Sequence, residues 1–410
     1  MKFGFLISLL SLGALHAAGN LTVARPESAG VSSARLVRIT AAMNADVQAG
    51  SIPGGLGLVA RGGKVVYLET AGLADREKNI PLRPDTIFRI YSMSKPITAV
   101  GLMMLYEEGK FSLKDPVAKY IPQMAGLQVL EEEAPGKQAV KANREATIQD
   151  LLRHTAGLSY GVFTRSAVDT MYNEIKPLSA TSMDDFIARL AKIPLRFQPG
   201  TRWNYSVAAD VQGKLIEAIS GMRFDQYLTS RIFKPLGMTD TGFFVPKAKQ
   251  GRFAQMYTGG KSLTLANPES SASFLNEDLL FFSGGAGLVS TASDYLRFCQ
   301  MLLNGGEGNG ARILGRKTIE LMTMDHLGSI PGRQDSGYGF GLGVSVHLNP
   351  TRSGSAASVG EYNWSGLAGT KFWIDPKEKL IGIYLIQVLP PRTPDPGDTF
   401  KQLVYQSIVD

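Results

Sequence analysis

Cysteine and histidine are both scarce in this sequence of 410 residues, which contains one cysteine and four histidines. The single cysteine, Cys299, excludes a disulfide within the chain. It falls in the apolar-periodic stretch 295–303, so we expect a buried thiol on a helix rather than a nucleophile. The histidines do not pair at metal-ligand spacing, and H-E-x-x-H is absent. The sequence therefore predicts no metal site.

Blocks of like charge are also absent. The chain carries 43 Lys and Arg against 36 Asp and Glu, a net charge of +7, and these charges are scattered. This distribution predicts no nucleic-acid partner; the mild basicity favours at most anionic surfaces or substrates. With 44% hydrophobic and 19% charged residues, the composition is that of a soluble globular protein. The length predicts two domains, or one large domain with an insertion.

The apolar run at the N terminus is too short to span a membrane. Residues 1–18 combine one positive charge, a short apolar run and small residues. This pattern predicts a signal peptide cleaved near Ala17 or Ala18, and hence a secreted or periplasmic protein. A retained N-terminal anchor is the alternative. No cysteine lies near the cleavage site, which excludes a lipid-modified N terminus.

Both ends of the mature chain carry patterns typical of a sheet. At the front, a helix over 32–49, capped by Ser32 or Ser33, precedes two strands around the turn 61–64. At the back, a strand over 338–347, a hairpin over 371–386 and a helix from about Thr399 to Val409 follow one another. Because hairpins imply antiparallel pairing, we predict an α/β (α+β) fold with one antiparallel sheet and terminal helices covering one face.

The middle of the chain is mainly helical, with periodic segments at 184–193 and 208–221 and a polar loop at 267–273. We therefore predict a discontinuous sheet domain formed by residues 22–97 and 281–410. A mainly helical domain, residues 98–280, is inserted into it.

The stretch F-R-I-Y-S-M-S-K-P, residues 88–96, places Ser92 three positions before Lys95 at the start of an apolar helix. Residues i and i+3 share a helix face, so these two side chains meet, while Ser94 points elsewhere. A serine hydroxyl needs a base to become a nucleophile. A lysine is such a base only where burial or nearby positive charge disfavours its charged form, and the apolar helix supplies burial. Free backbone N–H groups at the helix start suit an oxyanion.

Taken alone this pair is a weak signal, because on the order of one S-x-x-K is expected by chance in 400 residues. A capping serine and a surface lysine stay open as the alternative. Two further features add weight. Tyr205 lies on a loop before an amphipathic helix, where its hydroxyl either reaches a cleft or packs. Trp364-Ser-Gly366 comes just before the strand at 371, where it can place a backbone N–H facing the serine.

Three other motifs indicate structure rather than chemistry. Ser159 lies in G-L-S-Y-G, which matches G-x-S-x-G, but a helix rather than a strand precedes it and Gly157 reads as that helix's C-cap. His154, at the end of the same helix, is interpreted as structural. The glycine run 284–287 lacks a P-loop lysine and a Rossmann context, so no phosphate cradle is predicted.

The order S-x-x-K, then Tyr205, then W-x-G resembles the serine β-lactamase and penicillin-binding-protein superfamily, most closely the class C-like family VIII carboxylesterases. Three further segments are similar to that superfamily's motifs: A-T-I-Q-D-L-L-R-H-T-A-G-L at 146–158, F-Q-P-G-T-R-W-N-Y-S at 197–206, and S-G-G-A-G-L-V-S-T-A-S-D at 283–294. The resemblance covers nearly the whole mature chain.

The resemblance implies that Ser92 is the nucleophile that forms an acyl-enzyme, with Lys95 and Tyr205 jointly moving its proton. It also implies an oxyanion hole made by the backbone N–H groups of Ser92 and Leu367. Trp364 and Gly366 would contact the substrate, and no cofactor is implied.

Two departures from the family pattern bear on the substrate. No K-[ST]-G occurs, and Trp364 stands where β-lactamases have a lysine that holds a carboxylate. The triplet Tyr205-Ser-Val also lacks the asparagine of Y-x-N. We therefore predict a carboxylesterase for small, neutral, short-chain esters. The alternatives are a β-lactamase or D-Ala-D-Ala carboxypeptidase, an acyltransferase, and a catalytically silent binding protein; the oligomeric state is open.

Overall fold

A computed structural model describes residues 22–131, 138–163, 165–260, 262–390 and 394–410. The predicted signal peptide, residues 1–18, lies outside these residues. Nine of the described strands form one sheet. They are β1 (Thr22–Val23), β2 (Gly54–Arg61), β3 (Lys64–Asp75), β4 (Ile80–Pro81), β5 (Tyr338–Phe340), β6 (Ser345–His347), β7 (Tyr362–Ser365), β8 (Lys371–Asp375) and β9 (Leu380–Leu385).

The sheet joins the two ends of the chain. Its order is β1-β3-β2-β9-β8-β7-β6-β5, with β4 beside β3. Neighbouring strands run antiparallel except the short β1, which is parallel to β3. The junction is the β2–β9 ladder, which runs from Arg61 opposite Leu380 to Leu56 opposite Leu385. The predicted sheet and both predicted hairpins are confirmed.

Helices cover both faces of this sheet. The described α-helices of five or more residues are α1 (Ser33–Gln48), α2 (Ser94–Glu107), α3 (Ile148–Leu152), α4 (Ala167–Ile175), α5 (Met183–Leu190), α6 (Ala208–Ser220), α7 (Phe224–Leu228), α8 (Ala292–Leu303), α9 (Arg316–Met322) and α10 (Pro396–Gln406). The terminal helices α1 and α10 share one hydrophobic cluster with Val59 and Trp373 of the sheet. The alternate residues Leu58 and Phe372 face the other way, into the large cluster that contains α2 and α8. Cys299 is buried on α8, as expected.

Several sequence predictions need correction. The strand expected over 338–347 is broken into the hairpin of β5 and β6, because Gly343 adopts φ +93° and its Cα lies against Ala99 of α2. The last helix begins at Pro396 rather than Thr399. The loop predicted at 267–273 contains a 3₁₀ helix, Pro268–Leu275, whose N-cap Asn267 accepts a hydrogen bond from the Glu269 amide.

One predicted cap is confirmed in its position only, and another is wrong. Ser32 occupies the N-cap position of α1, but neither it nor Ser33 caps the helix with its side chain. Gly157 is not the C-cap of α3, which ends at Leu152 with Arg153 in the cap position. It is His154 that takes the left-handed conformation after that helix, at φ +58°. The chain therefore turns earlier than the glycine indicated.

The sheet strands come from residues before 82 and after 337, with mainly helical chain between them. The domain boundaries at 97 and 280 stay a prediction. Within the described ranges, no helix is both long and apolar enough to cross a membrane.

Candidate active site

Ser92 lies just before α2, not within it. The two-residue strand Phe88–Arg89 leads into a single 3₁₀ turn, Tyr91–Met93, and α2 begins at Ser94. Tyr91 sits at φ +42°, a left-handed conformation that is uncommon for a residue with a side chain and turns the chain sharply before Ser92. The prediction that Ser92 faces Lys95 and that Ser94 does not is confirmed, since the Ser94 hydroxyl accepts the Leu288 N–H instead.

Lys95 is a buried cation with a complete set of acceptors. Its side chain is 2% exposed, on a helix whose neighbouring residues are nearly all buried and apolar. Nζ donates to Ser92 Oγ at 3.0 Å, to Tyr160 Oη at 2.8 Å and to the carbonyl oxygen of Gly285 at 2.7 Å. An ammonium has three N–H donors, so all of them are used. This geometry rules out the alternative of a surface lysine.

Tyr205, on the loop before α6, also contacts Ser92. Its hydroxyl donates to Ser92 Oγ at 2.6 Å, so this oxygen accepts from both Tyr205 and Lys95. The loop that carries Tyr205 is fastened at Asn204, whose side chain donates to the Leu158 carbonyl and whose amide donates to the His154 carbonyl. The structure thus brings together the three side chains that the sequence selected.

Aromatic rings form the walls around this centre. Trp364, on β7, lies 5.4 Å from the Tyr205 ring, and Phe340 lies 5.2 Å from Trp364. Phe163 contacts the Tyr205 ring at 5.5 Å and is 56% exposed, so it stands at the mouth of the site. The guanidinium of Arg333 lies 5.8 Å from the centre of the Phe340 ring and 5.9 Å from that of Trp364. The immediate surroundings of Ser92 are therefore apolar and aromatic.

The residues that follow α3 pack against the Tyr205 ring. Burial acts to raise the pKa of Asp150, but its ion pair with Arg144 and its hydrogen bonds to Thr147 outweigh burial and lower that pKa to about 2. The charged network fixes the turn that carries His154, whose ring lies 5.1 Å from that of Tyr205. Burial, with the charges of Lys95 and Arg333, holds the pKa of His154 well below its usual range. His154 is therefore a neutral packing group beside the tyrosine.

Ser159 contacts a carboxylate that caps a helix. Its hydroxyl is buried and donates at 2.5 Å to Asp169 on α4, which also accepts from the Ser166 amide and hydroxyl at the start of that helix. Residues 153–160, all of which the structure describes, form no strand, so the strand–turn–helix context that G-x-S-x-G requires is missing.

The turn after β7 lies against the chain that leads to Ser92. A Cβ on Gly366 would approach the Ile90 carbonyl oxygen to 2.4 Å, so only glycine fits this position. The Gly366 N–H donates to the Thr370 carbonyl, which closes the turn, and the next residue, Leu367, is 44% exposed. Within the described chain, the backbone N–H groups of Ser92 and Leu367 donate to no protein acceptor. The oxyanion hole expected from these two N–H groups stays a prediction.

Sequence reasoning missed three residues of this site. Tyr160 and Gly285 contact Lys95 directly, and Asp210, on the first turn of α6, contacts the backbone of Gly285. Tyr160 follows Ser159 in the motif that was set aside, and Gly285 lies in the glycine run that was considered only as a phosphate cradle. Gly285 lies in the segment 283–294 that resembles the superfamily, but the resemblance gave it no individual role, and Tyr160 lies two residues beyond the resembling segment 146–158.

Comparison with known proteins finds relatives that cover most of the chain. Protein Rv1367c of Mycobacterium tuberculosis is 35% identical over 358 residues, which cover 85% of this chain and 88% of that protein. Esterase EstB of Burkholderia gladioli is 29% identical over 359 residues, 82% of this chain and 86% of EstB. The solved structure of EstCE1, a hydrolase with promiscuous acyltransferase activity, superposes with a TM-score of 0.78 at 26% identity, covering 92% of this chain and 98% of EstCE1.

The family comparison covers almost the same span. The Beta-lactamase family profile matches residues 39–406, which include strands β2 to β9, helices α2 to α10 and every side chain of the site described above. The resemblance to the serine β-lactamase and penicillin-binding-protein superfamily is confirmed, and so is the fold that it implied. The chain therefore belongs to the β-lactamase family of serine hydrolases.

Proposed function

We propose that this protein is a secreted carboxylesterase that cleaves short-chain esters through an acyl-enzyme on Ser92. The observation that carries the proposal is the pair of hydrogen bonds received by Ser92 Oγ, from Lys95 at 3.0 Å and from Tyr205 at 2.6 Å. A serine with two proton-exchanging groups at hydrogen-bond distance is arranged for nucleophilic attack. Secretion rests on the signal-like residues 1–18.

The chemistry follows from this arrangement. Once the Lys95–Tyr205 pair has released one proton to solvent, Ser92 Oγ attacks the ester carbonyl carbon and the serine proton passes to the pair. The negative charge on the carbonyl oxygen is held by the N–H groups of Ser92 and Leu367. The tetrahedral intermediate collapses as the carbon–oxygen bond to the alcohol breaks, and the alcohol leaves with the proton from the pair. Water then attacks the acyl-enzyme by the same steps and releases the acid.

The walls of the site favour neutral esters. Trp364 contributes a ring and no charge where a β-lactamase contributes a lysine, and Tyr205, Phe340 and Phe163 extend the same apolar surface. Transfer of apolar groups onto such a surface is favourable, by roughly 25 cal/mol for each Å² buried. The esterase name of EstB supports the same choice.

A substrate comparison tests the proposal. We expect kcat/KM for p-nitrophenyl butyrate to exceed that for the β-lactam nitrocefin by at least about 100-fold, which corresponds to roughly 2.7 kcal/mol of transition-state discrimination. A D-Ala-D-Ala peptide, assayed by release of D-alanine, serves as the third substrate. Faster turnover of nitrocefin or of the peptide would refute the esterase and favour one of those two activities.

Transfer of the acyl group to an alcohol is a second candidate, because EstCE1 is described as having promiscuous acyltransferase activity. The apolar walls that hold an ester's acyl group also suit an alcohol acceptor. Hydrolysis in the presence of a short-chain alcohol, with the products separated by chromatography, distinguishes the two. A new ester would show transfer, and the acid alone would show hydrolysis.

Replacing each of the two tyrosines by phenylalanine separates their contributions. Only Tyr205 donates to Ser92, whereas Tyr160 accepts from Lys95, although their rings lie 5.2 Å apart. We expect Tyr205→Phe to lower kcat by about 10³-fold, within the usual range for general acid–base groups. Tyr160→Phe, the matched control, should lower it by no more than about tenfold. Equal losses in steady-state assays of the two variants would argue against a distinct proton-transfer role for Tyr205.

A further inference from the structure

A fully buried carboxylate lies behind Lys95 and has no place in the mechanism above. Asp210 stands on the first turn of α6 with no exposed surface. Its Oδ1 accepts the Ser283 hydroxyl at 2.5 Å and the Gly285 N–H at 3.1 Å. In the described structure its Oδ2 is buried and accepts no hydrogen bond. A buried carboxylate oxygen without a donor is costly unless a positive charge compensates it.

Gly285 connects this carboxylate to the lysine. Its N–H faces Asp210, and its carbonyl accepts from Lys95 at 2.7 Å. A Cβ at position 285 would lie 2.6 Å from Asp210 Oδ2 and 2.9 Å from Tyr160 Oη. These two oxygens therefore leave no room for a side chain at this position. The neighbouring Gly284 carbonyl accepts the hydroxyl of Thr98, one turn after Lys95 on α2, which fixes this loop to the helix.

The charged and titratable groups around Lys95 come from several elements. Tyr160 and Tyr205 contact it from two loops, and Asp210 faces it from α6. His154 is held neutral, as described above, and the Arg333 guanidinium lies 5.9 Å from the Trp364 ring. Burial raises the pKa of Asp210, and the charge of Lys95 with the hydrogen bonds from Ser283 and Gly285 opposes that rise without cancelling it. Asp210 is the carboxyl group among these neighbours and hence the candidate for a negative charge facing Lys95.

We propose that Asp210 is a positioning residue that orients Gly285 to hold Lys95 and whose charge retains the proton on Lys95 in the resting site. Lys95 and Asp210 are then two buried opposite charges that both contact the Gly285 peptide rather than each other. The pH at which Ser92 becomes reactive is set by the ease with which the pair gives up that proton. This inference rests on the proposed nucleophile, Ser92, and not on the choice of ester as substrate.

The test is the rate at which a fluorophosphonate labels the intact protein, followed by mass spectrometry from pH 4 to pH 10. In this reaction a bond forms between Ser92 Oγ and phosphorus, fluoride leaves, and the serine proton passes to the pair. Asp210→Asn keeps an oxygen that can accept from Ser283 and Gly285 but removes the charge. We expect the acid limb of its profile to move to lower pH by about one unit, because the proton on Lys95 is no longer retained.

The matched control is Asp294→Asn, which also removes a buried carboxylate from the start of a helix but lies on α8, where Asp294 accepts from the Asp240 amide and Thr241. Its profile should coincide with the wild-type profile. An unshifted limb in Asp210→Asn, with the rate lowered equally at every pH, would show a purely structural role and overturn the proposal. A protein that labels at Ser92 but leaves p-nitrophenyl butyrate intact would refute the esterase and leave this inference standing.

If Asp210→Asn does not fold, Gly285→Ala tests the part of the proposal in which Asp210 orients Gly285 to hold Lys95. The added methyl group would displace Asp210 Oδ2 and Tyr160 Oη together. We expect the labelling rate to fall by about 100-fold in a variant whose circular dichroism is that of the wild type. Wild-type labelling by a folded Gly285→Ala protein would overturn the positioning role.

Discussion

Ser92→Ala should abolish labelling by a fluorophosphonate and lower turnover of p-nitrophenyl butyrate by at least about 10⁴-fold. The substitution removes the oxygen that accepts hydrogen bonds from Lys95 Nζ and Tyr205 Oη. Without that oxygen, neither group has a nucleophile to activate. The fold should survive, since the change deletes one atom at a partly exposed position. A thermal melt close to that of the wild type verifies this.

Ser159→Ala is the matched control because Ser159 is the serine of the competing G-x-S-x-G motif. Its buried hydroxyl donates to Asp169, the carboxylate that caps α4, so both labelling and turnover should persist. The two variants are compared by intact-mass spectrometry after the probe and by ester hydrolysis in the same samples. Loss of labelling in Ser159→Ala with retention in Ser92→Ala would reverse the assignment of the nucleophile.

Much of the fold could be predicted from the sequence because local signals repeat along it. Two turn sequences each predict a hairpin, one at Arg61-Gly-Gly-Lys64 and one between Asp375 and Leu380, and the structure contains both hairpins. The strand expected over 338–347 failed for a tertiary reason: Gly343 lets the chain turn where it meets α2, a contact that no local pattern reveals. One sheet shared by the two chain ends was predicted, but the pairing of β2 with β9 and its register were not.

The candidate site was predictable only in part, for a similar reason. Ser92 and Lys95 are three residues apart, so helical spacing alone predicts that their side chains meet. Tyr205 was predicted from the order in which the superfamily's motifs follow one another. Tyr160, Asp210 and Gly285 reach Lys95 across separations of 65 to 190 residues, or through one another. No periodicity connects such positions. Their roles became visible only as contacts around one buried ammonium.

Lys95→Met is the second substitution for which a very large loss is expected, on the order of 10³- to 10⁵-fold in kcat. Methionine is close to lysine in length and fits an apolar helix, but it offers no proton to Ser92, Tyr160 or Gly285. It also removes the charge opposite Asp210, so that carboxylate should take up a proton in the variant. Ester hydrolysis and the labelling rate, measured on protein shown to be folded by circular dichroism, give the size of the loss.

Lys95→Arg separates proton transfer from charge. A guanidinium can fill the site and donate to the same acceptors, yet it does not release its proton at neutral pH. We therefore expect no rescue by arginine, with activity within about tenfold of the methionine variant. If Lys95→Arg instead kept near wild-type labelling of Ser92, positive charge alone would suffice and the proton would have to leave through Tyr205. The buried lysine would then serve as an electrostatic anchor for the tyrosine rather than as its partner in moving the serine proton.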